Sequence, residues 1–230
     1  MSDKPRKSTP VLRADAERNR EAVVAAAREV FAESGSSASM NEVARRAGVN
    51  IATLFRRFPT RSRLIAAAYA EKMALYVAAI ERALDDPEGW RGFRAYLETA
   101  FEMQAGDCAF TDVLTMSFPD VPEFMREQRR AGSLLPELVE RARATGRLRP
   151  DFVHQDVALL LLAIAGVANA TRHTAPNAWR RVATLSIDAI QTGREVLPEP
   201  PTVQQLYRTF AHERIAARPV EDAAQPNSGP

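Results

Sequence analysis

Apolar residues return every three or four positions along almost the whole chain, the spacing that lines one face of an α-helix. Val23, Ala26, Ala27, Val30 and Phe31 predict a helix over about 15–34, which Gly35 stops. The recurrence then breaks into two short pieces within residues 39–58. Val43, Ala44 and Ala47 form one inward stripe, and Leu54 with Phe58 form the next. Ser39 with Glu42 three residues on is the pattern of a capping box for the first piece. Gly48 falls where a tight turn needs a positive φ, Val49 plugs the corner, and Asn50 can cap the second piece. Together these residues predict a helix-turn-helix.

After Pro59, Thr60 caps a long helix reaching about residue 84, with Leu64, Ile65, Ala68, Tyr69, Met73 and Tyr76 in its repeat. At 1.5 Å per residue it spans about 36 Å, enough to join one domain to the next. Asp85-Asp86-Pro87-Glu88-Gly89 breaks it, and further helices follow over about 88–105, 107–117, 121–144, 151–173 and 176–195. Strand-like alternation is missing, so the fold class is all-α. An N-terminal three-helix helix-turn-helix domain precedes a larger helical domain. The expected divisions are a flexible basic arm (1–13), a helix-turn-helix domain (14–60), a larger helical domain (61–195), to which the resemblance drawn below assigns effector binding and dimerisation, a linker with a docking helix (196–217) and a disordered tail (218–230). The docking helix carries Val203, Leu206, Tyr207 and Phe210. The arm, with Lys4, Arg6, Lys7 and Arg13, could reach a groove or phosphate or be a solubilising tail.

One helix changes the picture. Residues 157–168 are apolar around the whole circumference, so that helix is either central to its domain or covered by a partner. Ala163, Gly166 and Ala170 allow close helix approach, and the next helix offers Val182, Leu185 and Ala189. Paired with their counterparts in a second chain, the two helices would make a four-helix homodimer interface; the competing reading is an ordinary core within one chain.

Composition narrows the function classes. With 230 residues and 46% hydrophobic content the chain can bury a sizeable core and a small satellite domain. The single cysteine, Cys108, excludes an internal disulfide and a multi-cysteine metal site, and a buried, inert thiol is expected there. No uninterrupted apolar run reaches about 18 residues, and the first ten lack a signal-peptide core, so a cytoplasmic protein without a membrane partner is expected. Charge is split. Residues 1–65 hold 13 basic against 7 acidic residues, a net +6, whereas the remainder holds 18 against 22, a net −4. The basic excess sits with the helix-turn-helix, as expected where one end meets a polyanion.

On the second short helix, Ile51, Ala52, Thr53, Phe55, Arg56 and Arg57 are left to point outward. Two guanidinium groups, a hydroxyl and small or flat apolar groups suit a major groove, where phosphates and thymine methyls are both on offer; paired arginines are also a common solvated face. In the body Phe101, Met103, Cys108, Phe110, Met116, Phe118, Phe124 and Met125 cluster in the middle helices and suit an apolar effector pocket, although such residues are also ordinary core. Asp107, Asp112, His154 and His173 are candidates to orient a polar group. A phosphate loop, a Gly-x-Ser-x-Gly, a His-Glu-x-x-His and paired Glu-x-x-His motifs are all missing. No enzyme activity, cofactor or metal is therefore expected; a helical enzyme remains the rival class, and a DNA-binding scaffold without an effector the third.

The order of elements, with Ala26-Ala-Arg-Glu-Val-Phe31, Gly35, Ser39-Met-Asn-Glu-Val-Ala44, Ala47-Gly-Val49 and Thr53-Leu-Phe-Arg-Arg-Phe58, resembles the tetracycline-repressor (TetR/AcrR) family of bacterial transcriptional regulators. The likeness is specific over about residues 20–66 and rests beyond them on helical layout alone. It implies that the first three helices bind DNA, that the fourth connects, and that the last two large helices dimerise around a body holding a small-molecule effector. Thr53, Arg56 and Arg57 would contact phosphates, and Ile51, Ala52 and Phe55 base edges. Asn41 and Arg46 would widen the footprint, Asn50 would stand at the helix start, and Arg61 would approach phosphate. The family commonly has a Tyr where this chain has Phe55, so a hydrogen bond is lost there, and a His where it has Arg57. The partners implied are double-stranded DNA carrying a palindromic operator, an effector and a second copy of the chain. The implied function is repression released by the effector.

Overall fold

The computed structural model describes residues 9–107, 109–191, 196–202 and 204–205, with side chains from residue 17 onward. Cys108, the basic side chains of the arm, the stripe Val203, Leu206, Tyr207 and Phe210, and the tail 218–230 lie outside the described residues. The described residues form nine helices: α1 (Thr9–Ser34), α2 (Met40–Arg46), α3 (Ile51–Arg57), α4 (Arg61–Asp85), α5 (Gly89–Ala105), α6 (Phe110–Thr115), α7 (Pro122–Ala144), α8 (His154–Thr171) and α9 (Ala178–Ala189). One isolated antiparallel bridge joins Leu148 to Gln191.

Helix α1 starts earlier than the expected position near residue 15. Pro10 stands in its first turn, where a missing N–H has no intrahelical partner to lose. Val23, Ala26, Ala27, Val30 and Phe31 are all buried, as their spacing requires. The helix ends where Gly35 turns to φ +81° and its N–H reaches Phe31 O at 2.8 Å.

The helix-turn-helix forms with one change of detail. Ser39 Oγ accepts from Asn41 N at 3.2 Å, but Glu42 does not close the reciprocal half of a capping box. Its carboxylate is held instead by Arg45, at 2.8 and 2.6 Å. A charge-assisted, two-pronged pairing outcompetes a neutral amide. Gly48 adopts φ +66°, and Val49 N–H reaches back to Ala44 O at 3.0 Å to finish α2. Asn50 Oδ1 accepts from Ala52 N at 2.8 Å and starts α3, whose Leu54 and following Phe58 are buried.

Helix α4 is the spine. Its 25 residues span about 37 Å, and it packs on α1 at one end and on α5, α6 and α7 along the body. At its start Arg61 donates to Ser36 O and Ala38 O at 3.0 and 2.6 Å, and at its end Arg141 of α7 donates to Leu84 O and Asp86 O. Helix α5 lies close against its neighbours because Gly89 and Gly92 carry no Cβ: one built there would stand 2.5 Å from Arg141 O and 2.3 Å from Ala83 O. Helices α8 and α9 pack on α5 and on each other as the outer layer.

Three boundaries depart from the expected ones. Helix α6 is shorter than 107–117 because the Asp107 carboxylate accepts from Tyr69 OH, Lys72 Nζ and Ala109 N, holding that segment as a turn. Helix α8 begins after 151, since Arg149 grips Asp151 at 2.6 Å and donates its N–H to Ile190 O. Helix α9 stops at Ala189, where the chain turns into the bridge with Leu148.

Candidate functional site

The outward face of α3 is laid out by its inward one. Because Leu54 and Phe58 are fixed in the core, Ala52, Phe55, Arg56 and Arg57 are exposed, and Ile51 and Thr53 are half-buried at the edge. Phe55 is 44% exposed, an unusual state for a ring in the middle of a helix. Among the described residues neither Arg56 nor Arg57 has an ion-pair or hydrogen-bond partner. Asn41 is exposed in the first turn of α2.

Two other basic residues expected on this face are already engaged. Arg46 donates to Glu33 Oε1 at 2.8 Å, with Glu42 at 3.6 Å and Glu29 at 3.8 Å around it. The Arg46 hydrogen bond holds the Glu33 carboxyl below its usual range. Arg61 is turned inward onto the carbonyls of the α1–α2 loop, and burial lowers its affinity for a proton. Asn50 uses its side-chain oxygen for the α3 cap. A sequence signal for the first of these existed: Glu29 and Glu33 lie four apart on the exposed face of α1, the spacing that presents two carboxylates to one cation.

Between α4, α5, α6, α7 and α8 lies a cavity of about 320 Å³. Met73, Leu114, Leu135, Val157 and Leu161 give it apolar walls; its polar lining comes from Tyr76, Gln104, Thr111, Thr115, Gln128, His154 and Gln155. Of the eight residues expected to make an apolar pocket, the seven described ones are absent from this lining. Phe101, Phe110, Phe118 and Phe124 are buried: Phe110 stacks on Tyr69 with centroids 6.2 Å apart, and Phe118 packs on Phe124 at 4.6 Å. Met103, Met116 and Met125 are half-buried against the same core. These rings pack into the interior away from this cavity, although Phe124 and Phe101 each edge a separate cleft. The lining glutamines and threonines carried no distinctive sequence signal, except that Gln104 interrupts the buried stripe of α5.

The further candidates separate. His154 lines the cavity and His173 is exposed. Asp107 is committed to Tyr69 and Lys72, at 2.7 and 2.9 Å; burial lowers the Lys72 pKa against the opposing pull of Asp107. Asp112 accepts from Ser36 Oγ at 2.5 Å, tying α6 to the α1–α2 loop. Asp120 does the same for the start of α4, accepting from Thr60 at 2.5 Å and Ser62 at 2.8 Å, and Arg63 stands 3.4 Å away. Those two carboxylates join the body to the helix-turn-helix. Among the described residues no group of histidine, cysteine or acidic side chains is arranged to hold a metal.

Residues 23–68 match the family model described as bacterial regulatory proteins, tetR family. That match makes residues 23–68 a tetR-family domain. As in a tetR-family transcriptional regulator, its helix-turn-helix is a DNA-binding element. Solved tetR-family structures extend the likeness over the body. A regulator from Agrobacterium tumefaciens has a TM-score of 0.55 at 16% identity, covering 77% of this chain and 100% of that one. The regulator PfmR from Thermus thermophilus has a TM-score of 0.52 at 21% identity, covering 76% and 96%. A TetR regulator from Streptomyces coelicolor is 28% identical over 76% and 99%, with a TM-score of 0.47. The first two share the fold. No curated protein matches the chain.

One more surface stands out. On α8 and α9 Ala163, Gly166, Ala170 and Ala189 are exposed, Val182 is half-buried, and Leu159 and Leu185 are 39% and 57% exposed. Helix α8 is also the one described helix long and apolar enough to cross a membrane, yet only 22% of it is buried within the chain. His154, Gln155, Asp156 and Asn169 lie inside that span.

Proposed function

We propose that this chain is a homodimeric, cytoplasmic repressor that binds a palindromic operator and is released by a small molecule held in the body. The observation that carries the reading is the free pair Arg56 and Arg57 beside exposed Phe55 on α3. Unpaired guanidinium groups on a tetR-family helix-turn-helix offer phosphate contacts, and Ala52, Ile51 and Phe55 offer apolar contact to base edges. Residues 14–60 form the DNA-binding unit and 61–195 the effector and dimerisation unit. Exposed Leu159, Ala163, Gly166, Leu185 and Ala189 are covered by the same helices of a second copy. The dimer sets two α3 helices in successive major grooves, about 34–36 Å apart or at a multiple of one turn.

Release works through shape. Thr111, Leu114 and Thr115 of α6 line the cavity, and the neighbouring Asp112 holds Ser36 beside the helix-turn-helix. A ligand favouring one placement of α6 shifts the DNA-binding unit by no more than its differential affinity for the two placements. The test is a selection of genome fragments by purified protein at fixed moderate salt, followed by footprinting. Recovery of one short palindrome supports the reading. Retention of fragments without a shared sequence overturns it in favour of a nonspecific DNA-binding scaffold.

A further inference from the structure

The cavity's polar lining can be accounted for group by group. Tyr76 OH is 2.7 Å from Tyr96 OH, and burial pushes its pKa up to about 12, so it stays neutral. Thr111 donates to Gln104 Oε1 at 2.9 Å, Thr115 donates to Thr111 O and Asp112 O, and Gln128 Nε2 donates to Val113 O and Met116 O. Two buried side-chain atoms are left without a partner among the described residues: Gln104 Nε2 and Gln155 Oε1. Both belong to residues lining this cavity, and Gln104 is only 2% exposed. Leaving a buried polar group unpaired costs more than a hydrogen bond gains. An unpaired donor and an unpaired acceptor at one cavity therefore mark hydrogen bonds that a ligand completes. Charge points the same way. Among the described residues no Lys, Arg, Asp or Glu lines the cavity. Of the charged residues next in sequence to lining ones, Lys72, Asp112, Arg130 and Asp156 are engaged with Asp107, Ser36, Glu81 and Val153 N, Arg129 is exposed, and Glu127 lines a separate cleft.

We propose that the effector is an uncharged, mainly apolar molecule bearing one hydrogen-bond acceptor for Gln104 Nε2 and one donor for Gln155 Oε1, such as a hydroxylated ester, ketone or lactone. This rests on the cavity being the effector site. A carboxylate or phosphate would be buried with no lysine or arginine to pair with and only the His154 imidazole on the described lining, at heavy cost. At about 320 Å³ the space lies at the small end of small-molecule sites.

The test is calorimetry of the full chain near neutral pH with three probes. Methyl 6-hydroxy-2-naphthoate carries the acceptor and the donor, methyl 2-naphthoate lacks the donor, and 6-hydroxy-2-naphthoate carries a carboxylate. The hydroxy ester is expected to bind at least about tenfold tighter than the carboxylate and about fivefold tighter than the plain ester. Gln155→Leu should abolish the difference between the two esters. Gly132→Leu adds a side chain where nothing lies within 4 Å of the new Cβ and removes a glycine from the middle of α7. It should cut hydroxy-ester binding about tenfold or more while the thermal midpoint holds or rises. Equal or tighter binding of the carboxylate, no binding of the hydroxy ester, or binding indifferent to Gly132→Leu would overturn the proposal. The regulatory reading is scored separately on the selected operator. A hydroxy ester that binds with this pattern yet leaves DNA bound supports the site's chemistry and sinks the release reading. A protein that binds its operator but no hydroxy ester sinks the proposal alone.

Discussion

Arg56 and Arg57 differ from Arg46 and Arg61 in what their guanidinium groups already hold. The first two are free, whereas Arg46 sits among Glu29, Glu33 and Glu42 and Arg61 clasps two carbonyls. Only a free cation releases counterions from DNA without first giving up a protein partner. Arg56→Ala and Arg57→Ala should each weaken binding to all sequences and lower the salt slope by about one. Arg46→Ala should leave the slope near that of the unaltered protein; titrations at several salt concentrations check all three, and an unchanged slope for Arg56 and Arg57 refutes their phosphate role. Acid stability has its own residue. Asp151 accepts from Arg149 at 2.6 and 3.0 Å and from Leu197 N, which holds its pKa at about 2 against an ordinary 3.8. A carboxyl whose pKa is lower when folded stabilises the fold above its unfolded value and loses that contribution as pH falls through the folded one. Asp151→Asn should therefore flatten the fall in thermal midpoint between pH of about 4 and about 2, as calorimetry across that range would show.

At the scale of the element, the turn of the helix-turn-helix is where the backbone depends most on one residue. Gly48 adopts φ +66° with open space around the position of a Cβ, so Gly48→Ala meets strain in the backbone and no collision. A cost of about 1 kcal/mol is expected, which is roughly 2–4 °C of thermal midpoint in a chain of this size, with DNA affinity reduced because the turn sets the angle of α3. An alanine variant as stable as the original would show that the turn relaxes out of the left-handed region. This turn was legible from Gly48, Val49 and Asn50 because each acts on its immediate neighbours. The limits of α6 were not: Asp107 leaves the helix for Tyr69 and Lys72, more than thirty residues away in sequence. The capping box failed for a related reason, since Ser39 and Glu42 satisfy the local pattern while Arg45 offers Glu42 a stronger partner. The cavity was the least legible feature. Phe101, Phe110, Phe118 and Phe124 look in sequence like the walls of one pocket, yet none of them lines this cavity, and which residues surround a space depends on how five helices meet.

Among the described residues, two of the exposed large apolar side chains, Leu159 and Leu185, lie on the neighbouring helices α8 and α9. A lone chain must hydrate Leu159 and Leu185, 39% and 57% exposed, together with exposed Ala163, Gly166 and Ala189, and a second copy seated on them would remove that cost. Leu75 of α4 is 54% exposed as well, but it lies on neither helix and serves as a control. Because both leucines are largely exposed, an aspartate at either site should leave the monomer folded, by the helical signal and a cooperative melt. Leu185→Asp in a two-fold interface brings two carboxylates toward the same axis, between exposed Arg181 one turn back and exposed Asp188 one turn on, so dimerisation should weaken by about tenfold or more. Leu75→Asp should change it little. Sedimentation separates monomer from dimer, and operator titration supplies the second readout. A monomer presents one α3 and loses the coupling of two half-sites, so Leu185→Asp should lose specific binding and keep weak, salt-sensitive affinity for any duplex. If Leu185→Asp stays dimeric, the interface lies elsewhere. If it becomes monomeric yet still protects both half-sites, the operator is read without the dimer.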